Sequence, residues 1–318
     1  MKKLLVSLLA LVLVFAVVAR VSADAPVVTG KLQYEAYTDV SPADNVPGTP
    51  NPHSYADARL FFNGDIDKET NYLVSLQYTS TSIANNFKVR EAYATYKTDF
   101  GNLSVGKIRV FPSIADLTDG VTSHLGNGIT AAPFVIRYGY NLSDNTNFGL
   151  TVVPVDTGDE TDVTSYSGAG AFVAEAHTKV SIVNLGVNYQ SEGKGDAGYA
   201  LQASTTLFGS LNLWAEAGKL ADQTQSLSSD EKKVELFGAS LTINKLTFEV
   251  EKQFNDKAVL YGHDQWGAKV GYALTKNTTL EYYRSSNYYL GGLDAVQNPG
   301  TVDEKDTGVN FFRVTVTF

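Results

Sequence analysis

The chain of 318 residues contains no cysteine, only one methionine and fewer basic than acidic residues. Without cysteine it has neither disulfides nor a lipid anchor at a thiol. Its one long apolar run, over residues 4–18 with a single Ser7, is shorter than the roughly 20 residues that a membrane-spanning helix needs. A formal net charge of −9 argues against a nucleic-acid partner. These absences exclude a disulfide framework, a helical membrane anchor and a nucleic-acid-binding protein.

The N-terminus has the pattern of an export signal. Met1-Lys2-Lys3 supplies positive charge before the apolar run, and Val21-Ser22-Ala23 supplies small residues where a signal peptidase cleaves. We therefore expect a signal peptide over residues 1–23, cleavage after Ala23, and a mature domain over residues 24–318. Removing the signal peptide takes away three basic residues and no acid, which changes the formal net charge from −9 to −12.

Aromatic residues and glycine are plentiful, with 18 Tyr, 16 Phe and 27 Gly. An exported, cysteine-free chain of this composition is typical of a β-barrel whose membrane interfaces carry aromatic girdles. The composition also fits a secreted β-sandwich lectin, although a mature chain of about 295 residues would be large for one sandwich domain. Composition therefore favours the barrel without deciding between the two classes.

The last eight residues alternate between apolar and polar side chains, which is the period of a β-strand with one apolar face. The apolar face consists of Phe312, Val314, Val316 and Phe318. The segment resembles the C-terminal strand of bacterial outer-membrane β-barrels, whose terminal Phe is read by the barrel-assembly machinery. The resemblance implies that these four residues are an assembly signal. The last strand of a soluble sandwich would show the same alternation.

Alternating strands recur along the whole mature chain. The clearest pair lies within 55–79, where Ala58, Leu60 and Phe62 form one apolar face and Tyr72, Val74, Leu76 and Tyr78 form the next. Further strands are predicted near 28–40, 87–98, 101–111, 131–140, 146–154, 170–178, 182–191, 196–206, 210–220, 231–241, 245–254, 260–274, 278–288 and 308–318. Short turns alternate with longer connections, as in bacterial barrels. The pattern predicts an all-β fold, a transmembrane antiparallel β-barrel of about 16 strands.

Several segments are similar to motifs of one protein family. These are Gly30–Tyr34, Ala58–Gly64, Arg90–Lys97 and Phe100–Lys107, followed by the terminal Phe318. In their order and spacing they resemble the first, second, fourth and fifth strands of the general (trimeric) Gram-negative porins. The resemblance extends roughly over residues 1–150 and the C-terminus, and between them it is only architectural. It implies a water-filled barrel, a homotrimer, and a third external loop that folds inward to constrict the channel.

The segment 111–130 occupies the place of that loop. The resemblance implies Asp116 and Asp119 as acidic residues of the constriction. The segment departs from the family, because a Pro-Glu-Phe-Gly-Gly stretch is absent and Gly126-Asn127-Gly128 is only a loose counterpart. The alternative is that both aspartates are solvated acids of an external loop.

General porins line the wall opposite this loop with basic residues. Strand alternation, together with the cost of charge on a lipid-facing surface, assigns a basic set to the lumen. The set comprises Lys31, Arg59, Arg90, Lys107, Arg109 and Arg137. Placing Arg90 inward would turn Glu91 outward. Glu249, Glu251 and Glu281 take inward parity on the far wall, so the two groups would create a field across the pore. Alternatively, each residue is simply a solvated part of the lumen.

Residue patterns of catalysis or metal binding are not found in the sequence. The four histidines lack metal-ligand spacing, and no nucleophile motif surrounds them. We expect no enzymatic activity, cofactor or metal. We expect an outer-membrane porin for passive diffusion, with ions, small hydrophilic solutes, lipopolysaccharide and the assembly machinery as partners. Two alternatives remain open: a channel specific for sugars or anions, for which Trp214 has inward parity and Trp266 does not, and a non-conducting barrel that serves as adhesin or structural anchor.

Overall fold

Sixteen strands form in the part of the chain that the computed structural model describes, namely residues 26–39, 54–81, 85–110, 134–154, 170–191, 197–219, 233–255, 265–285 and 309–318. In chain order they are β1 (Val27–Asp39), β2 (Ser54–Asp65), β3 (Thr70–Thr81), β4 (Asn85–Thr98), β5 (Gly101–Lys107), β6 (Val135–Ser143), β7 (Thr146–Val152), β8 (Phe172–Val180), β9 (Val183–Ser191), β10 (Gly198–Leu207), β11 (Leu211–Lys219), β12 (Lys233–Ile243), β13 (Leu246–Asn255), β14 (Gln265–Thr275), β15 (Thr278–Ser285) and β16 (Val309–Thr317). Each strand pairs antiparallel with its sequence neighbours, and β16 pairs with β1, so the sheet closes into a barrel. These residues include no helix long and apolar enough to span a membrane.

The structure confirms the expected barrel and its even strand number. One boundary differs clearly, because β5 ends at Lys107 whereas the sequence predicted a strand over 101–111. Gly106 has a φ of +137°, and a Cβ at this position would overlap the carbonyl oxygen of Ala92. Only glycine adopts such a backbone readily, and the pairing with β4 stops one residue later.

The two ends of the barrel differ in the length of their connections. At one end the strands are joined by the short turns 66–69, 99–100, 144–145, 181–182, 208–210, 244–245 and 276–277. The connections at the other end include 40–53, 108–134, 153–171, 220–232 and 286–308, most of which lie outside the described residues. Bacterial barrels have short periplasmic turns and longer external loops, so we expect the end with short turns to be the periplasmic end and the other to be the external end.

The turn after β2 shows how the sequence builds such a short connection. The Oδ1 atom of Asp67 accepts hydrogen bonds from the backbone N–H groups of Glu69, at 2.9 Å, and Thr70, at 2.7 Å. These two donors stabilise the ionised carboxylate, so they lower the pKa of Asp67. An Asp side chain that bonds to its own backbone in this way is a common device of tight turns.

Residues directly opposite each other on paired strands lie on the same face, so the register divides the barrel into two faces. The outward face is apolar: Phe62, for example, lies between Val28 and Val74. The inward face is polar, as Arg59 between Lys31 and Gln77 illustrates. The apolar residues of the C-terminal strand, Phe312, Val314, Val316 and Phe318, continue the outward face. Their reading by an assembly machinery stays a prediction.

The first and last strands meet at Gly30 and Phe318. The N–H of Gly30 donates to the carbonyl oxygen of Phe318 at 2.8 Å, and the N–H of Phe318 donates back to Gly30 at 3.0 Å. The Phe318 ring occupies the space that a side chain on Gly30 would need, since a Cβ there would overlap the ring. The terminal aromatic ring therefore covers a backbone site that only glycine leaves open.

Candidate functional site

Arg59 lies on the inward face, as its alternation with apolar neighbours predicted. Its Cα is directly opposite Lys31 on β1 and Gln77 on β3. The Arg59 Nε donates to Oδ2 of Asp57 at 2.8 Å, and the amide of Gln77 donates to the same oxygen at 3.0 Å. Asp57 is only 3% exposed, so this carboxylate is held against the wall beneath the guanidinium.

A β-bulge brings both Arg90 and Glu91 to the lumen. On β3, Ser75 and Leu76 are consecutive, whereas their partners on β4 are Glu91 and Val89, so Arg90 is the extra residue. Arg90 Nη1 donates to Gln77 Oε1 at 3.0 Å, and Ser75 Oγ donates to Glu91 at 3.3 Å. Strict alternation would have turned Glu91 towards lipid, and the bulge removes this conflict.

The register does not support the expected inward position of Lys107. Lys107 lies opposite Ala92, and Ala92 lies opposite the outward-facing Val74. It therefore shares the outward face with Leu103 and Val105, whose apolar side chains already indicate this parity in the sequence. The neighbouring Gly106 lies opposite Tyr93 on the inward face. Lys107 is the last residue of β5 and lies next to the external end of the barrel.

Arg109 follows β5, where strand alternation no longer assigns a face. Its neighbours Ile108 and Val110 are buried in an apolar cluster on the inward side of the wall. The other members of the cluster are Val135 of β6, Val153 just after β7, Ala171 just before β8 and Val173 of β8. The chain therefore leaves β5 along the inner wall of the barrel. The two loop acids Asp116 and Asp119 lie in 111–133, outside the described residues.

Arg137 lies on the inward face of β6 and pairs with Glu175 of β8, two strands away. Glu175 reaches Arg137 by lying across Gly149 of β7, where a Cβ would come within 2.7 Å of the Glu175 Cγ. The Nε2 atom of His177 is 3.7 Å from the same carboxylate. A glycine in the intervening strand thus lets one side chain cross it.

The same device recurs on the far wall. The Trp214 ring of β11 lies over Gly238 of β12, and its Nε1 donates to Glu251 Oε1 of β13 at 3.3 Å. On the next strand, Lys269 Nζ is 2.8 Å from Glu249 Oε2, and this lysine is only 9% exposed. The register places Glu249 and Glu251 on the inward face, as the sequence predicted.

Charged residues also join the two strands at the seam of the barrel. Arg313 of β16 donates from Nε to Oε1 of Glu35 on β1 at 2.7 Å, and its Nη1 is 3.7 Å from Oε2 of Glu281 on β15. The guanidinium lies 4.5 Å from the centre of the fully buried Tyr283 ring. Glu281 therefore has the inward position predicted for it, with a cation beside it.

The basic and acidic sides of the lumen are less separated than the sequence suggested. Among the described side chains of the mid-wall, β1 to β6 carry Lys31, Arg59, Lys88, Arg90 and Arg137 together with Glu35, Asp57 and Glu91. From β8 to β16 the set is Glu175, Glu216, Glu249, Glu251 and Glu281 together with Lys269 and Arg313. A positive and a negative side remain, but most charges have a hydrogen-bond or ion-pair partner on the same or a nearby strand. Reasoning from the sequence missed these partners.

Comparisons of the sequence with a family model and of the fold with solved structures both identify porins. A model of the family described as Gram-negative porin matches residues 9–310. Solved structures of engineered variants of the porin from Rhodopseudomonas blastica are similar in fold. Two of them have TM-scores of 0.68 and 0.67, both at 11% sequence identity, and each match covers 92% of this chain and 100% of the other. No curated protein matches the sequence.

Proposed function

The chain belongs to the family of Gram-negative porins and is an outer-membrane porin, and we propose that its lumen is a water-filled channel for passive diffusion of ions and small hydrophilic solutes. The observation that carries this proposal is the closed barrel of sixteen strands with a polar inward face. A barrel of this strand number leaves an aqueous channel when its interior is not filled by apolar side chains. Lumen side chains such as Asp57 and Glu249 lie against the wall in ion pairs, which supports an open centre.

The segment 111–130 is proposed to narrow this channel. The inner apolar cluster receives Ile108 and Val110 immediately before the segment, which supports an entry on the lumen side. Ile114, Leu117, Val121 and Leu125 would extend the apolar contact, and Asp116 and Asp119 would face the open channel. Arg59 and Arg90, on the inward face at mid-wall height, would lie opposite them. Charged groups on both sides of a narrow passage set its ion preference.

The export and assembly of the protein are proposed from the sequence. The signal peptide is cleaved after Ala23, the barrel-assembly machinery recognises the terminal strand, and the mature barrel forms a homotrimer in the outer membrane. The outward position of Phe318 next to Gly30 supports recognition of the terminal strand before the seam closes. Catalysis is not part of the proposal, and the lumen residues are assigned to the electrostatics of diffusion.

Swelling of liposomes that contain the purified protein tests the proposal. We expect swelling rates that fall steadily with the size of uncharged sugars, since a water-filled pore sieves by size rather than by chemistry. Swelling by one sugar far above another of equal size would indicate a substrate-specific channel instead. Protein-containing liposomes that swell no faster than empty ones would contradict diffusion through the barrel.

A further inference from the structure

His177 lies on the inward face of β8, directly opposite Asn147 on β7 and Gly186 on β9. It shares this face with Glu175, two residues before it on the same strand. The Oε1 atom of Glu175 pairs with Arg137, and the Oε2 atom is 3.7 Å from His177 Nε2. One carboxylate is therefore shared by a permanent cation and by a residue of the type that gains its charge between pH 8 and 5.

The three side chains of this cluster differ in how much of each meets water. The side chains of Arg137 and His177 are 38% and 37% exposed, whereas that of Glu175 is 8% exposed. The wall covers the acid, and the two bases form the surface that faces the lumen. A charge added to His177 is therefore placed where a passing ion meets it directly.

The His177 ring lies in a position that suits its protonated form. A Cβ on Gly186 would be 2.8 Å from His177 Nδ1 and 2.7 Å from Oε1 of Gln202 on β10, so both atoms lie above the same glycine. A neutral imidazole has one donor and one acceptor nitrogen, whereas the protonated ring has two donors. Oxygen atoms lie on both sides of the ring, the Glu175 carboxylate near Nε2 and the Gln202 amide near Nδ1, and both can accept.

The strands around His177 carry few other charges on their inward faces. On β7 and β9 the inward residues next to His177 are uncharged. Arginine, lysine and carboxylate side chains ordinarily titrate outside the range from pH 5.5 to 8, whereas histidine titrates within it. In the described part of β6 to β11, the inward charged residues besides His177 are Arg137, Glu175, Lys179 and Glu216.

We propose that His177 determines how the ion preference of the channel changes with pH. With a neutral His177 ring, the charges of Arg137 and Glu175 cancel. With a protonated ring, the cluster carries one net positive charge, which attracts anions and repels cations in the lumen. The inference rests on the proposed channel function, and it adds a residue that determines specificity, which passive diffusion itself does not need.

The test is the reversal potential of the purified mature protein in a planar bilayer, in a dilute potassium chloride gradient with equal pH on both sides. One charge at about 8 Å from an ion in water, partly screened by salt, changes the chloride-to-potassium permeability ratio by about twofold. We therefore expect the wild-type ratio to rise about twofold from pH 8 to pH 5.5. His177→Gln should keep the lower ratio at both pH values, and His177→Lys should keep the higher ratio at both.

The matched control leaves His177 unchanged and replaces the other three histidines by Gln. These are His53, His124 and His263, which lie outside the described residues. The control variant should retain the twofold change in the permeability ratio. Since His177 is its only histidine, the NMR signal of a labelled histidine ring should move over the same pH range as the ratio. The control therefore decides the question even where His177→Gln assembles poorly.

A change in His177→Gln equal to that of the wild type, or loss of the change in the control variant, would overturn the role of His177 and leave the channel function intact. A wild-type ratio that is the same at pH 8 and pH 5.5 would overturn it as well. Absence of any conductance in the wild type would instead count against the proposed function and, with it, against the inference.

Discussion

At the scale of single residues, the lumen is organised by ion pairs, some within one strand and others between strands. Asp57 beneath Arg59, Glu175 beside Arg137 and Glu249 beside Lys269 each hold a charge close to the wall. Pairing keeps long side chains out of the water-filled centre and leaves a smaller imbalance of charge for a passing ion to sense. The ion preference of the channel should therefore depend on the residues whose partners neutralise them least.

The contribution of a single lumen charge to the ion preference of the channel can be measured at Arg59. Replacement of Arg59 by Gln should shift the reversal potential in a salt gradient towards cations, because it leaves the Asp57 carboxylate unopposed in the lumen. Lys107→Gln is the matched control, since it removes one positive charge from the outward face at the end of β5. Equal shifts from both substitutions would show that Lys107 also reaches the ion path, which would contradict its outward position.

Gly149 offers a second test at this scale. Gly149→Ala should lower the unitary conductance, because the added methyl displaces Glu175 from the wall into the lumen. Gly139 lies directly opposite Gly149, and a Cβ there meets nothing within 4 Å, so Gly139→Ala adds the same methyl without moving a charge. Conductance should recover when Glu175→Ala is combined with Gly149→Ala. The crossing of Gly149 by Glu175 has no conductance effect if the two alanine variants behave alike.

At the scale of strands and loops, the sequence predicted more than it did for single side chains. The alternation of apolar residues in β2, β3 and β16 identified the outward face, since a lipid-facing strand tolerates few exceptions. The phase of β5 was misassigned because Lys107 was treated as necessarily inward, although Leu103 and Val105 share its parity. The bulge at Arg90 could not be predicted, because an extra residue in a strand depends on its pairing with the neighbour.

The seam between β1 and β16 depends on the absence of a side chain at one position. Gly30→Val should reduce the yield of assembled barrel strongly, because the added side chain overlaps the Phe318 ring and opposes the two hydrogen bonds between these residues. Combining it with Phe318→Ala should restore part of the yield if steric overlap is the cause. Heat-modifiable migration in detergent gels measures the folded fraction. Normal assembly of Gly30→Val alone would contradict the role given to this contact.

The segment after β5 can be tested as a unit. Deletion of residues 113–126 should raise the unitary conductance markedly and admit larger sugars, because the segment is proposed to occupy the lumen beyond the inner apolar cluster. Deletion of residues 223–229 in another long connection serves as a control and should leave conductance unchanged. Unchanged conductance in the first deletion, together with cleavage of the segment by protease added to intact cells, would place it outside the channel.

At the scale of the whole molecule, the barrel separates two chemistries on its two faces. Apolar residues face outward along the body of the barrel, basic residues gather outside at the external end, and paired charges line the lumen. The sequence predicted the apolar outward face and part of the charged lumen. The two-residue period of a strand and the cost of placing a charge against lipid apply to every strand alike. It did not predict the ion pairs, because partners such as Glu35 and Arg313 are distant in sequence and meet only when the seam closes.

The central claim, a water-filled channel through a single closed barrel, is tested most directly by single-channel recording of the purified mature protein in a planar bilayer. The account predicts discrete conductance steps that are ohmic at low voltage and increase nearly in proportion to the salt concentration, as expected for ions that move through water. A protein that inserts but gives no steps, or a conductance that saturates at low salt concentration as at a binding site, would contradict it.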